Sequence, residues 1–105
     1  MKNNSTSQPH IIRGLQEFEK KAGTKIYTCL TGMRPSGRAH LGHYVGALKN
    51  WLALQNSPNI KCNFLIADYQ VLGDHLGETD RLRQSVIDLV IDWMALGLDP
   101  KKSNF

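Results

Sequence analysis

The sequence predicts an α/β domain built on a parallel sheet in β-α-β-α order. Three observations predict it: two short apolar runs of strand character, a run of helical period after each, and a glycine-rich loop between the first strand and its helix. Parallel neighbours need a crossover of helical length, which the spacing of the two apolar runs supplies.

The elements follow in chain order. MKNNSTSQP at the start is polar and reads as disordered, and HIIRGLQEFEKKAG carries a weak helical pattern that stops at Gly23. Residues 1–25 are thus set apart as an N-terminal extension, with the domain proper in 26–105. KIYTCLTG at 25–32 is apolar and β-branched and ends on glycine, so it reads as a buried strand. From His40 the spacing turns helical: Leu41, Val45, Leu48 and Leu52 recur on one side, Tyr44 and Trp51 widen the stripe, and the helix is expected to end near Gln55. KCNFLIADYQ at 61–70 reads as the second buried strand and leads into the loop VLGDHLGE. Leu82, Val86, Leu89, Trp93 and Leu96 then mark a long helix with Thr79 or Asp80 as N-cap, Gly97 as its stop and Pro100 beyond.

Two strands and two helices do not close a core, and Ile87, Val90, Ile91 and Met94 add a second apolar side to the last helix. The expectation is a fragment of a larger α/β domain, truncated at SNF where a third strand should begin, or a chain that needs a partner.

Composition narrows the function classes. A hydrophobic fraction of 41% and a charged fraction of 21% exclude a disordered chain. No apolar run approaches the ~20 residues of a membrane span, and no signal peptide is visible, so no membrane association and a cytoplasmic location are expected. Cys29 and Cys62 fall inside the strand runs and read as core residues, with no disulfide and no metal site. His10 and His75 read as surface residues. The net charge is +4, and residues 26–60, which contain the glycine-rich loop, hold three basic and no acidic residues. An anion finds a favourable potential there.

In a parallel sheet the loop after the first strand is the usual phosphate site, and a following helix adds its N-terminal dipole. GMRPSGRA nearly meets the Walker pattern, but Arg38 replaces its lysine and Ala39 its hydroxyl; a dinucleotide G-x-G-x-x-G is absent. TGMRPSGRAHLGHYVGAL instead resembles the HIGH motif of class I aminoacyl-tRNA synthetases, with PSG before it as in the tryptophanyl branch. GALKNWLALQ, FLIADYQVL and IDLVIDWMALGLDPKKS are similar to that branch as well, so the resemblance covers about residues 26–105.

The resemblance implies a Rossmann-like sheet and a two-step reaction on L-tryptophan, ATP with its Mg2+, and tRNA, in a homodimeric enzyme. It implies His40 and His43 as catalytic residues, with Gly32, Arg34, Pro35, Ser36, Gly37 and Gly42 completing the ATP site. The physical reasons are separate. His40 and His43 stand at i and i+3 on a first helical turn, where both can donate N–H to phosphate oxygens. Gly42 and Gly32 lack a Cβ and admit a flat base, while Ser36 and Gly37 shape the turn and Arg34 reaches a phosphate or carboxylate. Asp68 at the end of the second strand suits helix capping or a bond to the first loop as well as substrate contact, and Tyr69 and Gln70 are placed at the amino-acid pocket. Lys20, Lys21, Lys25, Lys101 and Lys102 suit solvated surface charge and also tRNA phosphate.

The KMSKS loop of the family has no counterpart in these 105 residues, so only the first half of an ATP site is expected, with little or no full activity in this piece alone. A tyrosyl enzyme, another HIGH-motif nucleotidyltransferase, and a non-catalytic binding module with the synthetase fold are the alternatives.

Overall fold

Strand β1 (Tyr27–Met33) pairs in parallel with β2 (Ile60–Ile66), in a register running from Tyr27↔Ile60 to Met33↔Ile66. The computed structural model describes residues 14–74 and 76–105, so the polar start, His10 and His75 lie outside the described residues. Asn104 forms a parallel bridge to Asn63 on the other side of β2, donating to the Cys62 carbonyl (3.1 Å) and accepting from the Phe64 amide (2.8 Å). This is where the third strand was expected to begin.

Helix α1 (Leu15–Ala22) ends at Gly23, whose positive φ of 58° suits a residue without a Cβ. The connection from β1 to β2 is helical but not uniformly α: α2 (Leu41–His43) passes into a π-helical turn (Tyr44–Leu48) and then α3 (Lys49–Gln55). A short α4 (Tyr69–Leu72) follows β2, and α5 (Thr79–Ala95) closes the order.

Packing explains the burial. Cys62 and Phe64 project from one sheet face into a cluster with Leu48, Trp51, Leu89, Trp93 and Leu98. Trp51 stacks on Phe64 with ring centroids 5.0 Å apart, and Trp93 meets Trp51 edge-on at 5.4 Å. Both long helices therefore lie on the same side of the sheet. The opposite face, with Leu30 and Leu65, stays exposed, so neither strand is as fully buried as its composition suggested. Cys29 and Cys62 are free thiols opposed in register, Cys62 buried and Cys29 partly so. Burial raises the Cys62 thiol pKa, and its neighbour Cys29 adds to the shift.

Three boundaries differ from expectation. The helical stripe from His40 splits: Leu48 and Trp51 are buried, while Leu41 is 75% and Val45 61% exposed. A π turn holds an extra residue, which rotates the segment before it out of phase with α3. β2 stops at Ile66, so Tyr69 and Gln70 belong to α4, with Asp68 as its N-cap. Glu78, not Thr79 or Asp80, is the N-cap of α5. At its other end α5 stops as expected: Gly97 takes φ 111°, and the amides of Leu98 and Gly97 donate back to the carbonyls of Trp93 (3.0 Å) and Met94 (3.1 Å). Ile87, Ile91 and Met94 are exposed, as their position on the second apolar side of this helix implied.

A buried amide ties the layers. Gln55 donates to the Gly97 carbonyl (3.2 Å) and accepts from the Asp99 amide (2.7 Å) and the Ser103 hydroxyl (3.1 Å). Truncation of Trp93, which is fully buried and central to the cluster, is expected to cost about 3–5 kcal/mol. A urea titration of Trp93→Ala followed by circular dichroism checks this; a loss under about 1 kcal/mol would show that the helices do not depend on that ring.

Candidate functional site

The loop after β1 is shaped by its own residues before anything else touches it. Ser36 donates from its amide to the Arg34 carbonyl (2.9 Å) around a buried Pro35, and Gly37 follows with φ 120°, where any side chain would strain the backbone. The end of β1 is joined to the end of β2 by the Ala67 amide, which donates to the Met33 carbonyl (3.0 Å). The loop thus starts from the carboxyl edge of the sheet.

It ends in a clasp. Asp92 of α5 accepts from Arg38 Nε (3.1 Å) and Nη2 (2.8 Å) and from the Ala39 amide (2.9 Å). Its carboxyl pKa is held below the usual carboxylate value, first by the Arg38 hydrogen bond and then by the Ala39 amide, and the Arg38 guanidinium is raised in turn. Arg38 is thereby committed to a protein carboxylate.

Immediately beyond, the two histidines cap the helix they begin. His40 Nδ1 accepts from the Gly42 amide (3.1 Å), and His43 Nδ1 accepts from the His40 amide (3.2 Å). Two amides that a helix N-terminus would otherwise present to an anion are therefore taken by imidazoles. The rings stack, with centroids 3.8 Å apart and planes inclined by 21°. An imidazole nitrogen that accepts carries no proton, so each neutral ring holds its proton on Nε2. The pair presents two Nε2–H donors side by side.

The glycines have structural reasons of their own. A Cβ on Gly42 would lie 3.0 Å from His40 Cε1 and crowd the cap. A Cβ on Gly32 would run into the Leu65 carbonyl oxygen on β2, so close approach of the strands already requires glycine there.

The other expected residues divide. Arg34, Pro35 and Ser36 line a cleft with Val71 and Leu72 of α4 and Arg81 and Ser85 of α5. Arg34 is ion-paired with Asp74 (2.5 Å), but both side chains are more than half exposed and the pair is weakly held. Asp68 accepts from the Tyr69 amide (2.9 Å), the capping role foreseen for it. Asp68 and Tyr69 line a separate depression between α4 and α5, and Gln70 is exposed on α4; the loop and its histidines are not part of that depression. Among the described residues no group of three His, Cys, Asp or Glu side chains could hold a metal.

Asp92, Asp74 and Arg81 escaped the sequence reading. For Asp92 a signal existed: it interrupts the apolar run SVIDLVIDWMALGL on the stripe side, next to a buried tryptophan.

Comparison with known proteins agrees with the family resemblance read from the sequence. The family profile described as tRNA synthetases class I (W and Y) matches residues 21–105. Tryptophan–tRNA ligase of Aquifex aeolicus is 49% identical over 74 residues, covering 70% of this chain and 18% of the relative. That of Lactococcus lactis is 49% identical over 76 residues, covering 72% and 22%. The chain thus spans about a fifth of the length of these curated relatives. Tryptophanyl-tRNA synthetase of Campylobacter jejuni superposes with a TM-score of 0.63 at 30% identity, over 75% of this chain and 24% of that one. A second structure of the Campylobacter enzyme, complexed with ADP and tryptophan, gives a TM-score of 0.62 at 31% identity, over 73% and 23%.

The clasp has a pH signature. Because the Asp92 pKa is depressed on folding, its contribution is complete above the ordinary carboxylate pKa and is lost as pH falls through the lower folded value. Asp92→Asn is expected to melt below the wild type at neutral pH, with the two melting curves converging in acid. Parallel curves across the whole range would contradict this.

Proposed function

Because the chain belongs to the class I tRNA synthetases of the W and Y type, we propose that it supplies the histidine half of the ATP site in a tryptophan–tRNA ligase. The observation that carries the reading is the stacked His40–His43 pair, with both Nδ1 atoms bound to backbone amides. In the reaction the tryptophan carboxylate attacks the α-phosphorus of ATP, the bond to the bridging oxygen breaks, and pyrophosphate leaves with the bonding pair. Tryptophanyl-adenylate remains, and a hydroxyl at the tRNA 3′ end then takes the aminoacyl group and releases AMP.

Negative charge grows on the phosphate oxygens as the five-coordinate transition state forms, and the two Nε2–H groups are donors already fixed for it. Their geometry is set before substrate arrives, because each ring is held by an amide of its own helix. Neutral donors of this kind bind ground-state phosphate less strongly than a cation would, which keeps the stabilisation for the charged transition state. Arg34 exchanges its exposed Asp74 partner for a phosphate oxygen, and Ser36 and Gly37 let the loop backbone approach the triphosphate. Gly32 and Gly42 keep the strand end and first helical turn narrow where the base lies.

Tryptophan binds toward α4, where Asp68, Tyr69 and Gln70 stand. The ADP and tryptophan complex of the Campylobacter relative supports this pairing of ligands. Mg2+ bound through ATP would supply neutralising charge for the departing pyrophosphate, and no residue of this chain is assigned to hold it. Pairing with a second copy, phosphate contacts to tRNA from lysines such as Lys101 and Lys102, and a cytoplasmic location complete the proposal; among the described residues no helix is long and apolar enough to cross a membrane.

Tryptophan-dependent exchange of pyrophosphate into ATP tests it, measured on this chain and on the product of the complete reading frame. Exchange by the latter is expected, and His43→Ala is expected to lower its kcat about 10²–10³-fold, as for loss of one oxyanion donor, with tryptophan binding little changed. Equal losses in binding and turnover would contradict a transition-state role. Absence of exchange in well-folded wild-type protein would favour a non-catalytic module.

A further inference from the structure

We propose that Asp92 is a positioning residue for the histidine pair, acting through the Ala39 amide; the proposal rests on the synthetase reading of that pair. Asp92 sits on a rigid part of α5, between Leu89 and Trp93, both of which are buried in the core. Its side chain is 13% exposed, whereas the Arg38 side chain it meets is 70% exposed. An ion pair with so exposed a partner contributes little by itself. The more sheltered and directional part of the clasp is the part-buried bond from the Ala39 amide to Asp92 Oδ2 (2.9 Å).

Ala39 is the last residue before the cap. The peptide joining Ala39 to His40 sets the direction from which the chain enters the helix, and His40 takes extended backbone angles of φ −124° and ψ 173° there. The turn ahead of it has glycine freedom at Gly37, with the buried Pro35 two residues upstream. Among the described residues, no side chain outside the loop and its own helix other than Asp92 hydrogen-bonds to residues 37–40. Ala39 and Tyr44 also pack against the core cluster, so the packing holds this segment near the core while the Asp92 carboxylate orients the peptide that enters the cap. Arg38 has the secondary task of holding that carboxylate in place, with its Nη2 on the other oxygen at 2.8 Å.

The proposal separates turnover from stability. An asparagine keeps an acceptor where Ala39 needs it, so Asp92→Asn is expected to retain turnover within about tenfold of wild type per folded molecule, even though it melts lower. Asp92→Glu keeps the charge and can still meet Arg38, but displaces the acceptor by a methylene. A misplacement on the order of 1 Å is worth about 10²-fold in rate, so Asp92→Glu is expected to lose kcat on that scale with KM for ATP nearly unchanged. A purely electrostatic or stabilising aspartate would give the reverse order, glutamate active and asparagine impaired.

Pyrophosphate exchange by the product of the complete reading frame reads the first comparison. Amide hydrogen exchange at Gly42, the donor to His40 Nδ1, reads the second without requiring activity. Faster Gly42 exchange in Asp92→Glu than in Asp92→Asn supports the positioning role; equal exchange in the two variants, or a kcat order with glutamate above asparagine, overturns it. Loss of exchange activity in the wild type itself would remove the synthetase reading while the Gly42 comparison still decides whether Asp92 sets the cap.

Discussion

The contact on which the rest depends is the one between two tryptophans and a phenylalanine on one face of a two-stranded sheet. Trp51 brings α3, Trp93 brings α5, and Phe64 brings β2 to the same point. Once the three rings are packed, the rotation of α5 about its axis is set, and with it the direction of the residue just before Trp93. That residue is Asp92, and its carboxylate meets the end of the glycine-rich loop. The buried Gln55 network adds a polar lock between the end of α3 and residues 97–103, with its donor and acceptor both satisfied. Core packing and site geometry are in this sense one arrangement.

The site differs from a simple helix N-terminus that binds anions with bare amides. Here imidazole nitrogens cover the amides of His40 and Gly42, and the protons offered outward belong to the rings. The exchange moves the donors farther from the backbone and fixes their tautomer by ordinary hydrogen-bond accounting. The π turn that follows has a matching consequence. By rotating α2 out of phase with α3 it takes Leu41 out of the core, and the first turn is free to carry polar chemistry while Leu48 and Trp51 stay packed.

Much of this was legible in the sequence because period and punctuation are local properties. The parallel order, the end of the first crossover helix at Gln55 and the stop of α5 at Gly97 follow from apolar spacing and glycine placement, and the structure has them. The HIGH-type loop was legible too, since its spacing is written in consecutive residues. Long-range partners were not. Nothing near Arg38 in the chain announces that Asp92, 54 positions away, will take it, although an aspartate in the apolar run was a trace of it. The π turn was invisible because Leu41 and Val45 continue the α spacing in letters while the backbone departs from it. Composition suggested buried strands, but burial depends on how many layers cover the sheet, and among the described residues the core helices lie on one side of these strands, leaving Leu30 and Leu65 exposed.

Both Nδ1 atoms at the helix start accept from backbone amides, which leaves Nε2 as the protonated nitrogen of each neutral ring and, under the proposed function, as the donor to phosphate. Nitrogen-15 NMR of histidine-labelled protein at neutral pH reads the protonation site of each ring directly. His40 and His43 are both expected to carry the proton on Nε2 alone. A proton on Nδ1 of either ring, or tautomers averaging freely, would contradict the double cap and the donor geometry built on it.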